Sequence, residues 1–104
     1  MIDTPGVVYL LHFDRWIGTP GKGGARHYMG WAREGCLEKR LAEHRRKGTS
    51  VAIMRELHRH GGDFVVARVW LGETPGDEKR RKRNGHISAL CPVCRGNWPL
   101  EEER

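Results

Sequence analysis

Residues 25–46 read ARHYMGWAREGCLEKRLAEHRR, and their hydrophobic pattern changes partway from that of a strand to that of a helix. The segment HYMGWA (27–32) is apolar and aromatic, which is typical of a buried strand. Leu37 and Leu41 then recur at helical spacing until Gly48 ends the pattern. The sequence therefore predicts a strand followed directly by a helix, both rich in basic and aromatic side chains.

The segments on either side of this stretch predict the other elements of the fold. Two apolar runs indicate buried strands, GVVYLLHF (6–13) and DFVVARVWLG (63–72). In the second run we expect core positions at Val65, Val66, Val69 and Leu71. Helices are predicted over 49–60, capped by Thr49 or Ser50, and over 75–83. The order ββααβα predicts an α+β fold with a small sheet flanked by helices.

Composition limits the class of protein. At 104 residues the chain has room for one modest core. Its 19 Lys and Arg against 13 Asp and Glu give a net charge of +6, which favours a polyanionic partner. No apolar run approaches the roughly 20 residues of a membrane span. The three cysteines do not form a secreted disulfide pattern, so we expect a cytoplasmic protein without membrane association.

The predicted helix carries two side chains suited to phosphate chemistry. Arg40 and His44 are four residues apart and so lie on one helix face. A guanidinium can clamp phosphate oxygens, and a histidine can donate a hydrogen bond or relay a proton. From this spacing alone a solvated basic helix face is the favoured interpretation, since arginine and histidine side chains are mostly exposed. Tyr9 and Tyr28, on the two preceding strands, can bind water or phosphate, but either one alone is better explained as a strand aromatic in the core.

In combination, the order VVY (7–9), YMG (28–30), then Arg40 and His44 resembles the GIY-YIG nuclease family, in a small bacterial or phage form. The resemblance covers about residues 6–85 and implies a three-stranded antiparallel sheet with Tyr9, Tyr28, Arg40 and His44 as catalytic residues. The motifs depart from the family by Val-Val in place of Gly-Ile and by Met29 in place of isoleucine, both apolar changes. The resemblance to the family also implies one bound divalent metal ion, Mg²⁺ or Mn²⁺.

The family's metal ligand is a glutamate on a later helix, for which the chain offers Glu73 and Glu78. Glu78 is the match, because it lies inside the helix after the third strand, whereas Glu73 precedes the turn. Asn84 corresponds less well to the family's asparagine and is also explained as a helix C-cap beside Gly85. The general base is left open between Tyr9 and His44.

The basic residues that follow these motifs are expected to contact the nucleic-acid backbone without reading sequence. They are Arg45, Arg46, Lys79, Arg80, Arg81, Lys82 and Arg83. The expected substrate is DNA, RNA is not excluded, and a homodimer on DNA would cut both strands. The alternative function is a non-catalytic nucleic-acid-binding module that keeps the fold; a small structural or protein-interaction domain is a third hypothesis.

The C-terminal part contains a CxxC motif, CPVC (91–94), with His86 five residues upstream. We divide the chain into a nuclease-like domain at 1–90 and a CxxC-containing tail at 91–104. His86, Cys91 and Cys94 supply three candidate ligands for a structural Zn²⁺, which requires a fourth from another histidine or from Cys36. The other interpretation is a pair of reduced cysteines that pack the tail onto the core.

Overall fold

The computed structural model describes residues 5–18, 24–85, 87–94 and 96, and these contain three strands and four helices. The elements are β1 (Gly6–Ile17), β2 (Ala25–Arg33), α1 (Leu37–Arg45), α2 (Ala52–Arg59), β3 (Phe64–Glu73), α3 (Pro75–Asn84) and α4 (Ile87–Leu90). The predicted α+β fold and its order ββααβα are confirmed, and the four-residue α4 is an addition. No described helix is long and apolar enough to cross a bilayer.

Strand β1 is the centre of the sheet. The order is β2-β1-β3, and β1 is antiparallel to both neighbours. One face packs Tyr9, Leu11 and Phe13 against the helical layer, and the opposite face packs Val8 and Leu10 in a second core. Burial on both faces explains why residues 6–13 form an unbroken apolar run rather than an alternating one. The expected long hairpin loop lies mostly outside the described residues.

The core positions expected on β3 are partly wrong. Phe64 and Ala67 are its buried apolar residues, whereas Leu71 is 80% exposed. The reason lies in two irregularities of the β1–β3 register: Leu10 pairs with Arg68 but Leu11 pairs with Val66, and Gly72 adopts a positive φ of 71°. Each extra residue moves the following side chains to the other face of the sheet, which simple alternation does not anticipate.

The helix boundaries follow from local hydrogen bonds. The predicted cap of α2 at Thr49 or Ser50 is wrong, since Val51 is the N-cap and makes no side-chain cap. Thr49 is buried and its Oγ1 accepts a hydrogen bond from the Val51 amide, a local turn that precedes the helix. Helix α3 begins with a capping box between Thr74 and Asp77, and its C-cap is Gly85 rather than Asn84.

Candidate active site

A buried hydrogen bond between a tyrosine and a histidine joins the sheet to α1. The Tyr9 hydroxyl lies 2.7 Å from His44 Nε2, and both side chains are fully buried. Tyr9 comes from the middle of β1, and His44 lies in the last turn of α1. The direction of the bond depends on the imidazole tautomer: either the hydroxyl donates to Nε2, or a protonated Nε2 donates to the phenol oxygen.

Gly30 makes room for this pair. It lies directly opposite Tyr9 in the β1–β2 register. A Cβ on Gly30 would be 2.5 Å from the Tyr9 hydroxyl oxygen and 2.9 Å from Cε2 of Tyr28. Since Cβ contacts that short do not occur without displacement, a side chain here would move Tyr9 or Tyr28. The glycine of the YMG motif therefore has a steric role in positioning both tyrosines.

Tyr28 completes an aromatic cluster at the same place. Its ring packs edge-on against the His44 imidazole with centroids 5.1 Å apart, and its centroid is 6.3 Å from that of Tyr9. On the outer side the Lys82 ammonium lies 5.8 Å from the Tyr28 ring centroid. Lys82 also binds Glu78 Oε2 at 2.6 Å, one turn back on α3. Helix α3 thus brings Glu78 beside the tyrosines of the sheet.

Arg40 lies one turn before His44 and faces the tyrosines. Its interaction with the Tyr9 hydroxyl raises the pKa of Arg40, which keeps the guanidinium charged. Arg40 Nε and His44 Nδ1 are buried and have no hydrogen-bond partner among the described residues. Unpaired buried polar atoms are rare in folded proteins, and a water, ion or ligand commonly completes them.

The titration of the pair follows from its burial. Desolvation, reinforced by the positive charge of Arg40, lowers the pKa of His44 to about 4. Desolvation also raises the pKa of Tyr9 to about 12, against the opposing effect of Arg40. The neighbouring Tyr28 and, to a smaller extent, the negative charge of Glu78 also raise the pKa of Tyr9. At neutral pH the imidazole is therefore neutral and the phenol is protonated.

The two candidate metal-binding glutamates are in different surroundings. Glu73 makes a bidentate ion pair with Arg81, whose Nε and terminal nitrogen are each 2.8 Å from a carboxylate oxygen. This pairing lowers the pKa of Glu73. Glu78 instead makes a single ion-pair contact with Lys82 at 2.6 Å, and its side chain is 15% exposed. Both carboxylates are therefore ion-paired, Glu73 through two hydrogen bonds to Arg81 and Glu78 through one contact with Lys82.

A cleft of about 670 Å³ opens on the Arg40 side of the cluster. Its basic wall consists of Arg33, Lys39 and Arg40, and Glu43 is the acidic residue among its lining. The fully buried Tyr9 and His44 lie behind Arg40 rather than on the cleft wall. A phosphate in this cleft would therefore meet Arg40 before Tyr9 or His44.

The basic residues predicted to contact nucleic acid divide into paired and free groups. Ion pairs to acidic side chains engage Arg45 (with Asp63), Arg46 (with Glu43), Arg80 (with Asp77), Arg81 (with Glu73) and Lys82 (with Glu78). Lys79 and Arg83 are exposed and form no ion pair with the described residues. The excess positive charge of α3 is thus concentrated on these two side chains.

A second cluster lies on the other face of the sheet. His12, His27, Cys91 and Cys94 point their ligand atoms at one another and could hold a metal ion. Cys91 and Cys94 were predicted zinc ligands, whereas His86 lies outside the described residues. His12 and His27 were not anticipated, although their positions in facing strand segments were a usable signal. Cys36, in the cleft on the helical side, takes no part.

Comparison of the chain with family models, with curated proteins and with solved structures gives no match. The case for a function therefore depends on the residues of the site and their geometry.

Proposed function

We propose that this protein is a metal-dependent endonuclease that hydrolyses DNA phosphodiester bonds at a single site of the GIY-YIG type. The observation that carries the proposal is the buried Tyr9–His44 hydrogen bond of 2.7 Å with Arg40 and Tyr28 beside it. The four residues come from β1, β2 and α1, and they are the ones that the family resemblance singles out.

A purely structural role explains this cluster poorly. A buried, unpaired polar group costs about 1–3 kcal/mol, and both Arg40 Nε and His44 Nδ1 are unpaired among the described residues. Apolar residues of similar size would fill the same space at less cost. In an active site, a substrate phosphate and its water molecules would supply the missing hydrogen-bond partners of these two atoms.

Arg40 is the proposed phosphate-binding residue. Its charge is held firmly by the adjacent phenols, and it forms part of the wall of the basic cleft. A positively charged donor in that position neutralises the charge that develops on the non-bridging oxygens as water attacks the phosphorus. Tyr28, which is only partly buried, is placed to orient the same phosphate or a water.

His44 is the proposed proton acceptor, with Tyr9 as the relay. With a pKa of about 12, Tyr9 is protonated at neutral pH and can accept a proton only by giving up its own, whereas the neutral imidazole of His44 has a free lone pair. The lowered pKa of His44, about 4, makes it a weak base, so its role depends on its position against Tyr9. The Tyr9 oxygen would take a proton from the attacking water as its hydroxyl passes its own proton to Nε2. Because Tyr9 and His44 are fully buried, water reaches them only if a neighbouring side chain moves. We propose that this side chain is Lys82, which is exposed and lies over the Tyr28 ring.

Glu78 is the proposed protein ligand for one Mg²⁺ or Mn²⁺. The Lys82 ammonium already occupies a cationic position 2.6 Å from its carboxylate, so the surroundings of Glu78 suit a cation. One carboxylate suffices for Mg²⁺ when water and substrate oxygens fill the remaining positions. When bound, the ion would lower the pKa of a coordinated water and stabilise charge on the phosphate.

The positive charge of the chain supports a nucleic acid as substrate and gives no sequence preference. RNA is an alternative substrate with the same backbone chemistry. Cutting both strands of a duplex would require two copies, and we propose a homodimer for that outcome. Three cysteines that form no disulfide fit a reducing compartment, so we propose a cytoplasmic location.

A non-catalytic nucleic-acid-binding module is the second candidate function. It is favoured by one observation, the complete burial of Tyr9 and His44, which keeps them from direct contact with solvent. Such a module would bind nucleic acid through the basic cleft and through Lys79 and Arg83 of α3. The hydrogen-bonded Tyr9–His44 pair would then have no role in binding.

Nicking of supercoiled plasmid separates the two candidates. We expect cleavage by the native protein in Mg²⁺, and a loss of about 10²–10³-fold in rate for Arg40→Ala, since one preorganised donor contributes that much in other enzymes. The matched control is Arg33→Ala, which removes an exposed arginine from the wall of the same cleft. Binding without cleavage by the native protein would favour the binding module. Equal losses in the two variants would show that Arg40 has no catalytic role beyond its charge in the cleft.

A further inference from the structure

Four ligand atoms from three segments of the chain meet on the face of the sheet opposite Tyr9. His12 lies on β1, His27 on β2, and Cys91 and Cys94 follow α4. His12 Nδ1 is 3.2 Å from His27 Nε2, 3.4 Å from Cys91 Sγ and 3.7 Å from Cys94 Sγ. Cys94 Sγ is 3.2 Å from His27 Nε2. All four atoms lie within 4.8 Å of one another.

These separations are those of a tetrahedral metal site. With Zn–N bonds of about 2.0–2.1 Å and Zn–S bonds of about 2.3 Å, a regular tetrahedron has N–N edges of about 3.3–3.4 Å and N–S edges of about 3.5–3.6 Å. The observed N–N distance of 3.2 Å and the N–S distances of 3.2–3.7 Å differ from these by a few tenths of an ångström. An ion can therefore be accommodated with only small side-chain adjustments.

The local structure of each segment favours the arrangement. His12 and His27 are direct partners in the antiparallel register, so their side chains project from the same face of the sheet. The cysteines occupy a tight turn with the two-residue spacing common in zinc sites. Gly96, at a positive φ of 78°, closes this turn by donating its amide to the Val93 carbonyl at 3.1 Å.

Hydrogen bonding among the four groups is a weak explanation for their proximity. A contact between two neutral imidazole nitrogens can contain one proton at most, and a thiol is a poor donor and acceptor. Two of the groups, His12 and Cys91, are also buried, so water does not compensate them. A cation bound to all four would satisfy every ligand atom at once.

We propose that His12, His27, Cys91 and Cys94 bind one structural Zn²⁺. Two thiolates and two imidazoles in tetrahedral order are a preferred ligand set for this ion. Four protein ligands complete its coordination, so the site has no open position for chemistry. It is separate from the proposed magnesium site at Glu78, and its test does not depend on nuclease activity.

The ion has a definite role in the fold. The second core contains Val8, Leu10, Met29 and Ala67, and these are covered by Cys91 with Ile87, Leu90 and Val93. The four-residue α4 is too short to be stable alone. Zn²⁺ fastens this segment to β1 and β2, and so keeps the second core covered.

Metal content of the whole 104-residue chain is the direct test. We expect one zinc per chain after purification under reducing conditions, and tetrahedral cobalt–thiolate absorption when the apoprotein is titrated with Co²⁺. Cys94→Ser should lose the thiolate-rich absorption and most of the zinc, whereas Cys36→Ser, which removes the cysteine outside the cluster, should retain both. Protein without zinc that gives no tetrahedral cobalt spectrum after reconstitution would overturn the proposal.

Stability gives a second readout for variants that fold poorly. Zinc removal from the native protein should expose the segment 87–94 to limited proteolysis and lower the thermal midpoint, and zinc addition should reverse both changes. The Cys36→Ser protein should respond in the same way. Insensitivity of the native protein to zinc in both assays would show that the cluster has no structural ion.

Discussion

The contact between Gly30 and Tyr9 gives a quantitative test of how the site is built. In Gly30→Ala the new Cβ would lie 2.5 Å from the Tyr9 hydroxyl and 2.6 Å from its Cζ. Tyr9 is fully buried, so its ring can move only by displacing other core residues. Overpacking of this kind costs about 1–3 kcal/mol, and loss of the hydrogen bond to His44 adds about 1 kcal/mol. We therefore expect the free energy of unfolding to fall by about 2–4 kcal/mol.

The matched control is Gly48→Ala, because a Cβ on Gly48 meets nothing within 4 Å and its φ lies outside the positive range. That change should be neutral or stabilising by up to about 1 kcal/mol. Urea unfolding of both variants measures the difference, and thermal midpoints should separate by about 8 °C or more for a domain of this size. A Gly30→Ala protein as stable as Gly48→Ala would refute the packing argument.

Three further outcomes are expected from the same geometry. His44 has a pKa of about 4 in the folded protein against about 6.5 when unfolded, so its contribution to stability is present above pH 6.5 and is lost as pH falls toward 4. Native protein should therefore lose about 2 kcal/mol more than His44→Asn between pH 7 and pH 5 in urea unfolding; parallel pH profiles would contradict this. Lys82→Met frees Glu78 from its ion pair, so the Mg²⁺ concentration for half-maximal cleavage should fall, and an unchanged or higher value would argue against Glu78 as the ligand. Lys79→Ala and Arg83→Ala should each reduce the slope of log affinity for DNA against log salt by about 1, and Arg46→Ala, which is paired with Glu43, by less; equal slopes would show that ion pairing does not decide which cations bind.

The order of strands and helices could be predicted because each signal is local. The apolar run at 6–13 corresponds to a strand buried on both faces, and the leucines of α1 have helical spacing. The residues whose burial was predicted wrongly depend on pairing between distant segments of the chain. Leu71 is exposed because the β1–β3 register shifts, and that shift leaves no mark in the hydrophobic pattern. Beyond Phe13, β1 continues through the exposed Asp14, Arg15 and Trp16 to Ile17, whereas the apolar run alone predicts that the strand ends at Phe13.

The two clusters differ in how far the sequence could reveal them. Tyr9, Tyr28, Arg40 and His44 were selected by a motif order, and the structure brings them together because β1 and β2 pair in register and α1 follows at once. The partners of Cys91 and Cys94 could not be selected in this way. His12 and His27 become neighbours only through the cross-strand register, and they meet the cysteines only after α4 folds back over the second core.

The most direct measurement is magnesium-dependent nicking of supercoiled plasmid by the native protein, Glu78→Gln and Glu73→Gln. Magnesium is omitted rather than chelated, because a chelator would also remove an ion from the Cys–His cluster. Glu73→Gln serves as the control carboxylate, since Glu73 is neutralised by Arg81 and lies outside the proposed metal site. We expect the native protein and Glu73→Gln to nick the plasmid only with magnesium, and Glu78→Gln to bind DNA without cutting it. Cleavage by Glu78→Gln at the native rate, or none by the native protein, would contradict the proposed nuclease.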